Sequence, residues 1–411
     1  MPTPLLRAAA LAAALLPAAW CAAVPLSLDH ALDLAVQRSQ LTRSARAGAQ
    51  SAAEMQRAAG QQPDPVLSLG LDNLPATGPD RLSTRAEDMT MKRIAVAQEW
   101  VPADKRAARE AVAGAQQRRE SALASVVAAD ARLQTALAYV DAYYAGAALE
   151  LSNLDEAHAR EALEAGKGRL ASASAGSADV LGLDSALGLA QDDAAERRQQ
   201  RAAASTALAR WTGVPADELA APRLAAALQE EAFVAGHPGV VARQQDVDVA
   251  RQEVEVARLN RRPNWSYELS YGQRSGRRDL VSFGVSIPLP IAPAARQDRE
   301  TAARLALVDK AEAELAEARR AAAGEHAALA SDAGRLRDRI ERFQAGVLLP
   351  ARQRVEAALA AYRANQAGLT ALFEARHAEL EAQRRLLSLR RDLARAQAQL
   401  AFKPIAEGDA R

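Results

Sequence analysis

Cysteine is almost absent: Cys21 is the sole one in 411 residues, so neither a disulfide framework nor a cysteine-based zinc site can be built. Aromatic residues are scarce, 4% of a chain that is 49% hydrophobic overall. Alanine dominates the apolar share, which suits long helices at close approach better than a compact enzyme core. An excess of either charge is also missing. The 52 basic and 51 acidic residues are interleaved and leave a formal net charge of +1, so no basic stripe points to nucleic acid or to a polybasic membrane surface. After the first two dozen residues no run of about 18 apolar residues occurs, which excludes a transmembrane helix. There is no Gly-rich phosphate loop, nucleophile elbow or metalloprotease His pair, so neither an enzyme nor a cofactor is expected. The histidines His30, His158, His237, His326 and His377 are scattered with no pair at ligand spacing, and no metal-ligand set is expected from them.

What is present begins with an export signal. Arg7 supplies a short positive start, Ala8 to Leu16 form a continuous apolar run, and Cys21-Ala22-Ala23 offers small residues for cleavage. Residues 1–23 are therefore expected to be removed. Cys21 also fits the acylated residue of a lipoprotein, although bulky Trp20 stands where that processing wants a small side chain. Without lipidation the mature chain holds no cysteine, which fits an oxidising compartment and is equally permitted in the cytosol.

A two-strand unit then occurs twice, about 200 residues apart. In the first copy Leu67, Leu69 and Leu71 alternate with Ser68, Gly70 and Asp72, followed by Ile94, Val96 and Trp100 against Ala95, Ala97 and Glu99. In the second, Trp265, Tyr267, Leu269 and Tyr271 alternate with Ser266, Glu268 and Ser270, followed by Val281, Phe283, Val285 and Ile287 against Ser282, Gly284 and Ser286. Each strand has one apolar and one polar face. Such strands suit the wall of a membrane barrel whose lumen holds water, with Leu67, Leu69, Leu71, Trp265, Tyr267, Phe283 and Val285 toward lipid. Four strands cannot close a barrel, and an open sheet in lipid leaves edge backbone groups unpaired at several kcal/mol each. The missing strands must come from further copies. Two copies give eight strands, whose interior side chains nearly fill, whereas three give twelve and a passage. A homotrimer is the smallest assembly that makes a duct.

The remainder of each copy reads as helix. From Pro102 to Gly168 no proline interrupts a small-residue stripe that includes Ala122, Val126, Ala129, Leu133, Leu137, Val140 and Tyr144, and the segment would span about 100 Å at 1.5 Å per residue. A Ser/Gly-rich turn at 171–177 reverses the chain into a helix from about Ala178 to Trp211. The second copy predicts one helix from about Ala295 to Ala364, a turn around Asn365 to Gly368, and a return through Leu369 to about Leu400. Single helices are also expected from about Leu28 to Gly60 and from about His237 to Asn260, each stacked on an ascending helix. The organisation is thus a signal peptide at 1–23, a first repeat at 24–212, an irregular equatorial linker at 213–236 with Pro215 and Pro222 as breakers, and a second repeat with a C-terminal tail at 237–411. The expected class is mainly α with four β-strands per chain.

Both copies resemble the TolC-like outer-membrane factors of tripartite efflux systems over nearly the whole mature chain. Pro63-Asp64-Pro65 through Asp72-Asn73-Leu74-Pro75, Met89-Thr90-Met91, Gln98 and Lys105-Arg106 are similar to the heavy-metal branch known as CzcC-type. The resemblance implies a trimeric twelve-stranded barrel in the cell outer membrane, continued by an α-helical barrel across the periplasm, that docks a periplasmic adaptor and an inner-membrane RND-type pump. It further implies a gate at the lower helical turns, with tyrosine, glycine and spaced carboxylates. Here the second copy supplies Tyr362, Asn365, Gly368, Leu369, Ala371 and Glu374, so Asn365 replaces a usual glycine and Ala371 the first carboxylate. Aligned through Gly176 and Gly368, Asp179 falls opposite Ala371, Gly182 opposite Glu374, and Asp184 opposite Arg376. In a trimer each carboxylate becomes a ring of three that attracts cations.

Each of these residues also has a plain structural reading. Asp179 at a helix start is a favoured cap, and Glu374 suits a solvated helix face. Met89 and Met91 share a strand face, as apolar contacts near the outer rim or as soft ligands for a cation. Two functional readings share the whole fold: an exit duct for heavy-metal cations, and a duct for organic compounds or type I protein secretion. An adaptor built on one helical hairpin would not repeat the strand pair.

Overall fold

The computed structural model describes residues 25–172, 176–364 and 366–405. The export signal, Cys21 and Asn365 lie outside the described residues. The first repeat runs α1 (Leu28–Arg38), α2 (Gln40–Ala59), β1 (Val66–Asp72), β2 (Met91–Trp100), α3 (Ala103–Ala171) and α4 (Ser177–Thr212). A short α5 (Glu230–Gly236) precedes the second repeat, α6 (Pro238–Leu259), β3 (Trp265–Arg274), β4 (Leu280–Ser286), α7 (Gln297–Phe343), α8 (Leu349–Arg363) and α9 (Leu369–Phe402).

The four strands form one antiparallel sheet in the order β1-β2-β3-β4. The two repeats are joined in it by β2 and β3, whose register pairs Trp100 with Trp265 and Ile94 with Tyr271. Helix α3 leaves β2 through Pro102, whose fixed φ and missing N–H suit a helix start. With 69 residues α3 reaches about 100 Å from the sheet at 1.5 Å per residue, so the hairpin turns lie at the opposite end of the molecule. Along its length α3 packs on α2 and α6 near the sheet and on α4 and α9 farther away. Helices α7 and α8 complete the second side against α6 and α9. Small residues set these approaches. At Gly166, near the far turn, a Cβ would come within 2.7 Å of Leu183 Cδ1, so the Leu183 side chain of α4 packs directly onto the α3 backbone there and would have to turn aside for alanine.

Three sequence expectations need correction. The helix expected from Leu28 to Gly60 is two helices, because Ser39 leaves the helical region at ψ 112° and its Oγ accepts the Thr42 N–H at 3.1 Å, capping α2. The apolar spacing continues across the break and conceals it. The helix expected from about Ala295 to Ala364 contains a π-helical segment, Gln344–Leu348. Pro350 follows at once; it has no N–H to donate and its ring crowds the carbonyl four residues earlier, and the widened turn absorbs the mismatch. Third, β2 begins at Met91, so Met89 lies in the preceding loop and the two methionines do not share a strand face.

The chain from 213 to 236 packs on α1 and α3, with Ala216, Leu219 and Leu224 against Leu28, Leu32 and Tyr139. Gly213 ends α4 at φ 71°, a left-handed geometry that glycine adopts without penalty. Leu26 and Leu219 then make a single parallel bridge beside α3. Fully buried Tyr139 of α3 secures it, its hydroxyl lying 2.6 Å from the Leu26 carbonyl and 2.7 Å from that of Ala220. Burial pushes its pKa up to about 12. Tyr139→Phe should lower unfolding stability by about 1–3 kcal/mol, because the one O–H donor shared by two buried carbonyls is lost while the ring stays packed; the Leu26 carbonyl keeps the Ala220 N–H at 3.0 Å. Denaturant titration of the variant beside the parent protein measures this, and coincident midpoints would mean the bridge carries no stability.

Candidate functional site

The strand register sorts side chains onto two faces of opposite chemistry. On one face Leu69, Ile94, Tyr271 and Val281 form a row across all four strands, and Leu67, Val96, Leu269 and Phe283 form the next. Leu71 belongs to the row beyond, with Lys92 and Gln273. Toward the helices Tyr267 pairs with Val285, and Trp100 with Trp265. The Trp100 and Trp265 rings sit 5.9 Å apart and Trp265 lies 6.2 Å from Tyr267. These apolar side chains have little protein cover: Leu69 is 73% and Phe283 70% exposed.

The other face is small and polar. Ser68, Ala95, Ser270 and Ser282 make one complete row. In the neighbouring row Arg93 stands directly between Gly70 and Gly272. Its guanidinium pairs with Asp72 at 3.1 Å and Glu268 at 3.0 Å. From Lys92 to Trp100 the apolar face rises about 27 Å along the strand at ~3.4 Å per residue. A tilt near 40° gives a band about 20 Å tall, close to the apolar height of membrane barrels.

Sheet and helices are locked together by residues that the sequence analysis noted only as a signature. Gln98 donates to the Pro63 carbonyl at 2.7 Å, and Arg106 donates to that of Gly60 at 3.1 Å. Gln62 and the Val101 backbone exchange two hydrogen bonds, each 3.0 Å. Buried Lys105 reaches across to the second repeat, donating to Asn264 Oδ1 at 2.8 Å and to the Arg262 carbonyl. Burial is the main cause holding its pKa below the usual lysine value. At the far rim of the sheet, Asn73 adopts φ 54°, its side chain donates to the Met89 carbonyl at 3.2 Å, and Thr90 donates back to the Asn73 carbonyl at 2.8 Å. The signature residues therefore shape a joint and a loop; Met91 lies on the polar face, against Gly272.

At the opposite end the two hairpin turns lie side by side, with Val180, Leu183 and Leu187 of α4 packed against Leu369 and Phe373 of α9. Asp179 occupies the first turn of α4, and its carboxylate accepts the Gly176 N–H at 3.2 Å, so it caps the helix while remaining exposed. Asp184 is exposed one turn farther on. Its charge adds a smaller pull on Lys167, whose pKa is raised chiefly by the hydrogen bond to Glu164 at 2.8 Å. Glu374 is exposed, Tyr362 half-buried, and Arg376 lies 4.0 Å from Glu161. A single chain does not bring the three carboxylates together; each points from its own position on the tip.

Above the tip lies a buried ionic cluster that sequence reasoning missed. Arg384 of α9 contacts Asp155 of α3 at 3.1 Å and Asp193 of α4 at 2.9 Å, with Glu381 as a further partner. Ser152 donates to Asp193 at 2.6 Å, and His377 Nδ1 lies 3.4 Å from Asp155. The available signal was Ser152 and Asp155, three residues apart on the stripe of α3 that otherwise carries small apolar residues. Among the described residues no three His, Cys, Asp or Glu side chains converge as a metal site, and no helix is long and apolar enough to cross a membrane.

No protein-family model and no curated protein matches the sequence. Solved structures do match in shape. A membrane protein from Pseudomonas aeruginosa superposes with a TM-score of 0.75 at 16% identity, covering 92% of this chain and 90% of that one. The open state of the outer-membrane channel MtrE of Neisseria gonorrhoeae gives 0.73 at 16%, covering 92% and 88%. CusC, solved in a study of folding and transmembrane channel formation, gives 0.68 at 16%, covering 92% of each chain. At such identities the likeness is one of fold: the chain is mostly helical with one four-stranded antiparallel sheet, arranged as in these outer-membrane channel structures.

Proposed function

We propose that the protein is the outer-membrane channel of a tripartite efflux system, a homotrimer whose three sheets close a twelve-stranded barrel in the outer membrane and whose helices continue it as a duct into the periplasm. The observation that carries this reading is the uncovered apolar face of a sheet with two free edges. In water such a face is a liability; in lipid, with β1 of one copy paired to β4 of the next, both face and edges are satisfied. The helical layer supports the same assembly. Its two sides carry uncovered apolar residues, Leu41 and Met55 on α2 and Leu181 and Leu189 on α4, against Leu305 and Leu307 on α7 and Leu349 on α8. Helix α8 buries none of its side chains within the chain.

In this assembly the paired turns form the periplasmic mouth, where a periplasmic adaptor and an RND-type pump dock. Heavy-metal cations are the cargo class we assign, on the signature that resembles the metal-efflux branch. Choice among ions rests with the pump, because the duct contributes charge and water rather than a ligand set. Asp179, Asp184 and Glu374, tripled by symmetry, line the constriction beside Tyr362 and Arg376, and their field concentrates cations there.

Neutralising Asp179, Asp184 and Glu374 together to Asn or Gln should lower cation preference in planar-bilayer recordings and weaken block by a multivalent cation added at the periplasmic side. Trimer assembly should persist, since helix-terminal acids contribute only about 0.3–1 kcal/mol each. Unchanged selectivity and block in assembled trimers would return these residues to capping and solvation.

A further inference from the structure

We propose that Arg93, held between Asp72 and Glu268, forms with its counterparts in the other two copies a charged ring that sets ionic selectivity inside the barrel, separately from the mouth about 100 Å away along α3. This rests on the channel reading given above.

The polar face is built to let one side chain dominate. Arg93 pairs across the sheet with Gly70 on one side and Gly272 on the other, and the adjacent row is Ser68, Ala95, Ser270 and Ser282. None of these residues reaches far from the backbone, so the guanidinium can lie along the sheet, meeting Asp72 on β1 at 3.1 Å and Glu268 on β3 at 3.0 Å. The space at Gly272 is already used: a Cβ there would come within 2.7 Å of Met91 Sδ. Two other charges share this face: Arg274, in the Asp72 row across Met91 but without an ion pair to the cluster, and Glu99 at the helix end. Arg274 is turned to the Arg278 carbonyl at the outer rim, and Glu99 accepts from Asn264 beside the helices.

Two carboxylates around one guanidinium leave one net negative charge per chain, hence three around a closed barrel. The groups are only partly buried, 37% exposed for Arg93, 36% for Asp72 and 44% for Glu268, so their field reaches the water of the lumen. Low-dielectric barrel walls focus such a field. The same ion pairs tie three strands together, and the two roles separate by experiment.

The test is the K+/Cl− permeability ratio of purified trimers in planar bilayers, read from the reversal potential in a KCl gradient. Arg93→Gln leaves two carboxylates per copy and should raise the ratio about twofold or more, whereas Asp72→Asn with Glu268→Gln leaves the guanidinium alone and should lower it by about as much. Arg93→Lys keeps the charge and should track the parent protein; a purely structural brace would move Lys and Gln alike. Ser282→Asp adds a carboxylate one row away without touching the ion pairs, and should raise the ratio even if Arg93→Gln fails to assemble. Parent-level ratios in assembled Arg93→Gln, or in Asp72→Asn with Glu268→Gln, overturn the ring and leave the channel reading standing, whereas a parent-level ratio in Ser282→Asp overturns the placing of this face toward the lumen and the ring with it. A parent protein that inserts no channel overturns the channel reading and the ring with it.

Discussion

Arg384→Ala should destabilise the protein by about 3–5 kcal/mol, the cost typical of removing one partner from a buried ion pair. The Arg384 side chain is 13% exposed and that of Asp155 4%, so water cannot replace the lost guanidinium. Asp155 and Asp193 would be left as two carboxylates near one another at the junction of α3, α4 and α9. Arg384→Met should do as much damage, since it restores the volume and leaves the charges. Arg384→Lys should recover part of the loss, one ammonium being unable to reproduce the fork that serves two carboxylates. Combining Arg384→Met with Asp155→Asn and Asp193→Asn should recover most of it, because the uncompensated charges go together. Chemical denaturation of the four variants reads these differences. An unchanged midpoint for Arg384→Ala would mean that solvent reaches the cluster and that the two hairpins are held by the apolar tip contacts alone.

The second large effect concerns the exposed face of the sheet. Leu69→Arg or Phe283→Arg should impair assembly in the membrane, at about 2–4 kcal/mol for each chain near the bilayer midplane. Both positions lie between the Lys92 row and the Trp100–Trp265 pair, near the middle of the apolar band. Threefold repetition multiplies the cost. Ser68→Arg or Ser282→Arg should assemble and alter conductance, because the polar row faces water in a barrel. Heat-resistant trimer in outer-membrane fractions is the readout. Equal damage on both faces would mean that the sheet does not lie in lipid.

The strands, the long α3 and the hairpin turns were legible because each rests on a local rule: period two for the strands, an unbroken small-residue stripe for α3, glycine and serine at the turn. Breaks within a periodic pattern were less visible. At Ser39 the chain leaves the helix for one residue and resumes it with the apolar spacing almost in phase, and at Gln344–Leu348 the extra residue of the π-turn is compelled by Pro350, whose effect falls several residues upstream. The cluster around Arg384 was hidden for another reason. Its members lie on three helices, and only the packing of α9 along the α3–α4 hairpin, chiefly against α3, makes an arginine from one meet aspartates from the others. The short signature that resembles the metal-efflux branch has a structural meaning that no spacing could show, because it depends on contacts such as Gln98 with Pro63 and Lys105 with Asn264, which join segments up to 159 residues apart.

The central claim is that this chain closes a duct only as three copies, and the most direct measurement is the mass and low-resolution shape of the protein extracted from outer membranes in mild detergent. The extracted protein should be a trimer about 140 Å long, from about 100 Å of helix and a barrel of membrane thickness. A monomer that stays soluble without detergent would contradict it.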